Sequence, residues 1–230
     1  MPPRRRPPAV LAAALVAVVL AVVLAGCFTG ERPSFADDQF AAGRPTGDPA
    51  IDAVLAKLDT AAATPPTFTA TYEVIVRFGN LDKRATVAVA GRNRAVALDD
   101  VRYVQTPQLI ETCRGAVCTT GLDPSAISDS QLTVDFYAAD AAKRLRVDAG
   151  AKIGPTATST QTIAGQPASC IDIVQPSSTA TYCVLDNGVL AKLADGDVYV
   201  TMTSFAPTAD PAVLTDPPAT DQTSTTTTTT

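Results

Sequence analysis

One stretch of the chain decides its fold: residues 67–78 read TFTATYEVIVRF, with an apolar residue at every second position. A period of two is the pattern of a β-strand that buries one face and exposes the other. At about 12 residues the stretch is twice the usual strand length, which predicts a large curved sheet or a barrel. The row expected to be buried consists of Phe68, Ala70, Tyr72, Val74, Val76 and Phe78.

The residues on both sides of this strand place it in a larger pattern. Upstream, Asp48-Pro49 is a good helix start, and apolar residues then recur at helical spacing until Pro65-Pro66. Downstream, turn signals at 79–80 and 91–93 separate further strands. These strands are predicted over residues 84–90, 95–104 and 109–118 and beyond, so the first part of the domain is an antiparallel meander.

The middle of the chain changes character after Asp123-Pro124. An alanine-rich stretch, residues 130–146, is predicted to contain a helix, and Pro155 with the Thr and Ser that follow it is predicted to be a loop. The strand pattern then returns, with strong turns at 186–188 and 195–196. Its strands are expected at residues 161–164, 168–174, 180–185, 189–194 and 198–205.

The amino terminus has the layout of a bacterial lipoprotein signal. Three arginines, residues 4–6, precede an uninterrupted apolar run of 16 residues, 9–24, and then Leu24-Ala25-Gly26-Cys27. The run is short for a membrane span, which needs about 20 residues, and it fits a secretory signal. The last four residues resemble the lipobox, in which the cysteine thiol accepts a diacylglyceryl group. The alternative is an uncleaved membrane anchor in which Cys27 has no role.

These features divide the chain into four parts. Residues 1–26 are predicted to be the lipoprotein signal peptide, residues 27–47 a lipidated tether, and residues 48–207 the single folded domain. Residues 208–230 contain mainly Thr, Pro, Ala and Asp and end in a run of threonines. Such a composition buries too little apolar surface to fold, so this segment is predicted to be a disordered tail.

The charge of the chain limits its partners. Without the signal peptide, 15 basic residues remain against 23 acidic ones, a net charge of −8. No basic cluster is left, which argues against nucleic acid and against adhesion to anionic lipid head groups. The membrane is therefore expected to be contacted through the acyl anchor, at the outer face of the cytoplasmic membrane.

With Cys27 assigned to lipid, four cysteines remain, which could pair in three ways. Cys113 and Cys118 are symmetric about Gly115-Ala116, where glycine suits a two-residue hairpin turn. Two positions out from such a turn, the two cysteines form a non-hydrogen-bonded pair, in which side chains come closest. We therefore predict a Cys113–Cys118 disulfide.

The other two cysteines have the same arrangement. Cys170 and Cys183 are symmetric about Pro176-Ser177 and again fall at a non-hydrogen-bonded position. A Cys170–Cys183 disulfide is expected in an oxidising compartment. A metal site is the alternative, but the chain has no histidine and its spacings are not those of zinc ligands.

The sequence offers little for catalysis. The absence of histidine excludes Ser–His and Cys–His arrangements, and there is no nucleophile elbow and no phosphate-binding glycine loop. Paired carboxylates occur at 99–100 and at 195 and 197, but both pairs flank predicted turns, where Asp is common. We therefore predict a binding protein rather than an enzyme, without metal or cofactor.

The order of elements resembles the LolA-like half-barrel superfamily, which includes mycobacterial lipid-carrier lipoproteins of the LprG and LppX type. The resemblance rests on the 68–78 strand after a helix, on Ile163-Ala164-Gly165-Gln166-Pro167-Ala168-Ser169-Cys170, and on the strand–turn–strand stretch at 182–192. It implies an α+β fold: a curved antiparallel sheet, a half-open barrel, with its concave face capped by helices around an apolar cavity. The low aromatic content and the two cystines depart from the group.

Two functions follow from these observations. The first is a lipoprotein that binds or carries a lipid or another hydrophobic ligand in a cavity lined by Phe68, Tyr72, Val74, Val76 and Phe78. The second is a structural or sensor lipoprotein with a filled core that recognises another envelope protein. The volume enclosed beneath the 68–78 strand distinguishes them, because a carrier needs several hundred Å³ of apolar space.

Overall fold

The structure is a computed structural model and describes Asp38 and residues 40–215. The helices are α1 (Pro49–Ala63), α2 (Ala139–Gly150) and α3 (Pro211–Thr215), with a 3₁₀ helix at Pro124–Ser130. The first six strands are β1 (Phe68–Val76), β2 (Leu81–Ala90), β3 (Asn93–Leu98), β4 (Val101–Gln105), β5 (Ile110–Arg114) and β6 (Val117–Thr120). The other five are β7 (Ala157–Ile163), β8 (Gln166–Val174), β9 (Thr179–Leu185), β10 (Leu190–Ala194) and β11 (Val198–Ala206).

These strands form one antiparallel sheet of 11 strands in the order β6-β5-β4-β3-β2-β1-β11-β10-β9-β8-β7. Every neighbouring pair is also adjacent in the chain except β1 and β11, which join the two meanders at the centre. The sheet does not close, since β6 and β7 remain as edges. The prediction of a curved, open antiparallel sheet with helices is confirmed, and this is the architecture that the LolA-like resemblance implies.

Helices α1 and α2 cover the face of the sheet that the even-numbered residues of β1 form. Helix α1 starts as predicted, because the Asp48 side chain accepts hydrogen bonds from the backbone N–H groups of Ala50 and Ile51. Its apolar stripe, Ile51, Val54, Leu55, Leu58 and Ala61, is buried. Helix α2 packs beside α1. We call this side of the sheet the concave face and the other the convex face.

Strand β1 is shorter than its sequence pattern predicts. It ends at Val76, because the chain turns at Arg77 through Asn80, with positive φ at Gly79 and Asn80. The N–H of Arg77 donates to the Asp197 carbonyl, at the tip of the neighbouring hairpin. Phe78 therefore projects from the turn with 83% of its surface exposed. The prediction that Phe78 lines a cavity is wrong.

The ordered domain is longer than predicted at both ends. Residues 40–47 do not act as free tether, since the Gly43 N–H and the Thr46 side chain bind carboxylates of α1, Asp59 and Asp52. At the other end, the Thr69 hydroxyl donates to the Thr208 carbonyl. Helix α3 then lies against β2 and β3. Isolated side-chain contacts, not an apolar pattern, hold these segments beyond the predicted boundaries at 48 and 207.

The predicted loop after Pro155 is also a strand. Residues 157–160 belong to β7, which pairs with β8 in unbroken register from Ala157 opposite Asp172 to Ile163 opposite Gln166. Six of its seven residues are exposed, so β7 has no alternation of apolar and polar residues from which it could be recognised. Hydrogen bonding to β8 determines this strand.

The structure contains both predicted disulfides. Cys113 lies opposite Cys118 with 3.9 Å between their Cα atoms, and Cys170 lies opposite Cys183 with 4.0 Å. Both are on the convex face. In the second meander this follows because the side chain next to Cys183, that of Tyr182, reaches α2 on the concave side, and strand neighbours alternate. Each meander thus carries one cystine across two strands.

Candidate ligand-binding face

The site residues that the sequence predicts on β1 lie together, apart from Phe78. Phe68, Tyr72, Val74 and Val76 have no exposed surface and point to the concave face. Most of their neighbours across the sheet are also apolar, among them Ala85 on β2 and Val200 and Met202 on β11, whereas Lys83 of β2 lies opposite Val74. The central strands therefore present an apolar surface to the helices, with Lys83 at its margin.

A short irregular segment, residues 131–138, covers the middle of this surface. We call it the cover segment; it connects the 3₁₀ helix to α2. Its Phe136 ring meets the Tyr72 ring edge to face, with 5.1 Å between centroids. Its Tyr137 ring packs in the same way on Phe68, at 5.7 Å. Leu132 is buried in the same core. The face beneath β1 is thus closed by the protein's own side chains.

Leu190 of β10 makes two hydrogen bonds beneath this surface, one to the cover segment and one to β1. The Leu190 N–H donates to the Tyr137 carbonyl at 2.8 Å, and the Leu190 carbonyl accepts from the Tyr72 hydroxyl at 3.0 Å. Burial raises the pKa of Tyr72 well above its ordinary value, and burial also raises that of Tyr137. Both phenols therefore remain neutral in the physiological range.

Ion pairs hold the cover segment and the 3₁₀ helix along β2 and β3. Lys83 of β2 donates to Asp129 at 2.8 Å, and its ammonium group lowers the pKa of that carboxyl. Arg94 of β3 pairs with Asp135 of the cover segment. These charges lie at the margin of the apolar face, where they remain partly solvated. These ion pairs can therefore separate without leaving either charge buried.

Two clefts among the described residues are lined largely by charged and polar side chains. One of about 310 Å³ lies against β1 and β2, mainly on the convex side, and is lined by Tyr72, Glu73, Asp82, Lys83, Arg84 and Thr203. Another of about 270 Å³ lies between α2 and the second meander. There the Tyr182 hydroxyl donates to Asp148 at 2.5 Å, and burial, followed by the Asp148 charge, raises the pKa of Tyr182. Such linings suit water and ions better than an acyl chain.

The other chemically active groups have structural partners. The carboxylate of Glu111 and the sulfurs of Cys113 and Cys118 lie within 4.8 Å of one another, as metal ligands could. The two sulfurs are bonded to each other, however, and cannot ligate as thiolates. Lys57 bridges the Ser169 hydroxyl and Asp186 at 3.0 and 2.8 Å, and so connects α1 to β8 and to the turn after β9.

The sequence did not reveal the cover segment as part of the site. Its apolar residues, Leu132, Val134, Phe136 and Tyr137, follow neither a helical nor a strand period. One signal was available: Phe136-Tyr137 is an adjacent aromatic pair in a chain with only 5% aromatic residues. Aromatic side chains contribute most of the buried area per residue, so this pair could have marked the segment.

The comparisons with known proteins give distant structural similarity only. No family model matches the chain, and no curated protein does. Among solved structures, MucB is similar with a TM-score of 0.43 and 13% identity, over 72% of this chain and 62% of that one. LprF from Mycobacterium bovis has a TM-score of 0.35 and 14% identity, over 69% of this chain and 95% of that one. The matched region thus spans about three fifths of the MucB chain.

Within the residues that the structure describes, no helix has the length and apolar character needed to cross a membrane.

Proposed function

We propose that this chain is a non-catalytic lipoprotein of the bacterial cell envelope, held by a lipid on Cys27, whose half-barrel takes up a hydrophobic ligand beneath β1. The observation that supports it is the cover segment: the apolar centre of the concave face is closed by an irregular segment with solvated ion pairs. Cys27 and the predicted signal peptide lie outside the described residues, so the anchor rests on the lipobox pattern.

Uptake of a ligand requires displacement of the cover segment. The rings of Phe136 and Tyr137 would leave the Tyr72 and Phe68 side chains, and an acyl chain would take their place. Large aromatic side chains bury roughly 150–250 Å² each, and apolar burial contributes about 25 cal/mol per Å². The free energy gained by burying the acyl chain is therefore close to that lost by exposing the two rings. The apparent affinity then depends on how readily the cover segment opens.

The first experiment tests the ligand directly. Chain lacking the anchor, made in its own host, is examined by native mass spectrometry. Adducts of lipid mass are expected on the folded protein. Protein that is free of adducts in every preparation, together with no binding of a fluorescent fatty-acid probe, would contradict the carrier function.

The second experiment tests the route of entry. Asp135→Ala removes the partner of Arg94 and loosens the cover segment, so probe uptake should accelerate about threefold to tenfold, with a matching gain in apparent affinity. Asp100→Ala is the matched control, because Asp100 pairs with Arg114 on the surface, away from the cover segment. Equal uptake rates for the two variants would exclude entry at the cover segment.

The anchor has its own test. Cys27→Ala should move the protein from the membrane fraction to the soluble fraction and remove the mass of the lipid from the mature chain. If the variant stays in the membrane at its original mass, the uncleaved-anchor alternative is correct. This outcome is independent of ligand binding.

The close packing beneath β1 favours a second candidate, a structural or sensor lipoprotein that recognises another envelope protein. Phe68, Tyr72, Phe136 and Tyr137 form ring contacts between 5.1 and 6.0 Å, as a permanently filled core does. This candidate predicts no lipid adducts, no probe binding by either Asp variant, and a protein partner captured by cross-linking in intact cells.

A further inference from the structure

The edge strand β7 lacks the features that normally prevent edge strands from pairing. It has seven residues, Ala157-Thr158-Ser159-Thr160-Gln161-Thr162-Ile163, without charge or proline, and its register against β8 is unbroken. All but Ile163 are exposed. Natural sheets usually protect an edge with lysine, proline, a bulge or a very short strand. The other edge, β6, is short, with four residues.

The hairpin geometry shows which backbone groups of β7 lack a partner on β8. Ala164 and Gly165, with φ of 50° and 76°, form a two-residue turn between Ile163 and Gln166. Ile163 and Gln166 are therefore a hydrogen-bonded pair, and such pairs alternate along the hairpin. Pro167, which has no N–H, falls opposite Thr162 at a non-hydrogen-bonded position, in agreement with this alternation.

It follows that Thr158, Thr160 and Thr162 direct their N–H and C=O groups away from β8, toward the open edge. These three residues are spaced evenly about Thr160. An antiparallel strand with the same spacing can therefore pair with all of them.

We propose that β7 pairs with β7 of a second copy of this chain, antiparallel, with Thr160 opposite Thr160. In this register Thr158 lies opposite Thr162 of the other copy, and every outward backbone group is paired, with about six hydrogen bonds. A shift by two residues would leave Thr158 or Thr162 without a partner. The two sheets would continue as one across the interface.

The side chains of β7 are compatible with this register. The threonines share the concave side with Ser169, which lies opposite Thr160 and binds Lys57 of α1. They would form threonine pairs across the interface, which are favourable in sheets. On the convex side Ser159 would face Gln161. No charge would face a like charge, because β7 has none.

The interface is small, so the dimer should depend on concentration. Pairing of one seven-residue edge buries less than the roughly 1,200–2,000 Å² of a stable interface. The full chain, purified in detergent, should shift from monomer to dimer over a micromolar concentration range in sedimentation velocity. A strictly monomeric chain up to millimolar concentration would overturn the proposal.

Engineered cysteines test the register. Hydrogen-bonded antiparallel partners have Cα atoms about 5.5 Å apart, a distance that suits a disulfide. Thr160→Cys should therefore form a covalent dimer under mild oxidation. Thr158→Cys should not, because its two copies would be offset by four residues. Equal cross-linking of both variants would overturn the register.

A charge on the edge tests whether β7 is the interface. Thr160→Lys places two ammonium groups opposite one another, and the dimer should weaken about tenfold or more, which corresponds to about 1.4 kcal/mol. The matched control is Thr120→Lys on β6, the other edge, which should not change dimerisation. If Thr120→Lys breaks the dimer and Thr160→Lys does not, β7 is not the interface. Circular dichroism and the melting temperature confirm that each variant is folded.

Discussion

The sheet has two halves with the same strand plan and different support. The first half, β1 to β6, and the second half, β7 to β11, are both antiparallel meanders with a cystine on the convex face. The second half packs directly on α1 and α2: Gly188 contacts α1, and the Tyr182 hydroxyl binds Asp148 of α2.

The first half is held instead by non-helical and short helical segments. The Tyr103 hydroxyl donates to the Asp123 carbonyl beside the 3₁₀ helix, and Lys83 binds Asp129 within it. On the convex side α3 lies against β2 and β3, where Ala88 and Ala95 are fully buried. The comparison shows that one strand pattern can be stabilised by a helix pair or by a series of local contacts.

The largest effect that distinguishes the halves is expected at two turn glycines. At Gly188, with φ +82°, an added Cβ would lie 2.2 Å from the Lys57 carbonyl oxygen. Gly188→Ala should therefore cost roughly 3 kcal/mol, from backbone strain and the clash with α1. Gly91→Ala, in the first half, has φ +60° and no atom within 4 Å of the new Cβ, so it should cost about 1 kcal/mol. Urea unfolding measures both. Equal losses would mean that the second half does not depend on this contact.

The contributions of the two disulfides to stability should differ by a smaller amount. The Cys170–Cys183 bond spans 13 residues and both its cysteines are buried, whereas the Cys113–Cys118 bond spans 5 and Cys118 is exposed. Loop-closure entropy predicts that replacing Cys170 and Cys183 by alanine lowers the free energy of unfolding by about 3 kcal/mol. Replacing Cys113 and Cys118 by alanine should lower it by about 2 kcal/mol. Partial reduction followed by alkylation and mass mapping should label Cys118 and Cys113 first. Earlier labelling of Cys170 and Cys183 would show that the reductant reaches the buried disulfide more readily than the exposed one, contrary to this prediction.

The smallest expected effect is a loss of folding stability at acidic pH. Lys152 lowers the pKa of Asp48 at the start of α1, and Lys83 lowers that of Asp129 beside the first half. A carboxyl with a lowered pKa in the folded state stabilises the protein above its unfolded pKa of about 4, and the contribution is lost as pH falls through the folded value. The Asp129 side chain is 55% exposed and that of Asp48 is 18% exposed, so solvent screening should keep each effect to about 1 kcal/mol or less.

Asparagine variants measure these contributions separately. Asp48→Asn should reduce the loss of stability between pH 6 and pH 2 more than Asp129→Asn does, because Asp48 also accepts a hydrogen bond from Thr156. Asparagine keeps the helix cap. If neither variant changes the acid dependence, these pairs do not contribute to it.

The sequence was most informative where one rule of side-chain spacing applied. The alternation in β1 predicted its buried face, and the symmetry of Cys113 and Cys118 about a turn predicted their pairing. Where the pattern depended on distant residues, prediction failed. Phe78 continues the alternation of β1, but β11 begins at Val198, opposite Val76, so Phe78 has no partner in β11 and lies in the turn.

The missed parts share a physical cause. Strand β7 is polar on both faces, and residues 40–47 are held by single hydrogen bonds to α1 and α2. The cover segment has apolar residues without a period. In each case the conformation follows from partners far away in the chain, and no local pattern of the segment contains that information.

The pairing of β1 with β11 has a consequence for how the chain folds. All other strand pairs join neighbours in sequence, whereas the β1–β11 pairing brings residue 69 beside residue 206. Closing so long a loop is slow, so the two meanders should form early and the β1–β11 pairing late. Because a chain emerges from its amino terminus, β1 would have a transiently unpaired edge until β11 arrives. That interval is the time at which this protein is most exposed to aggregation.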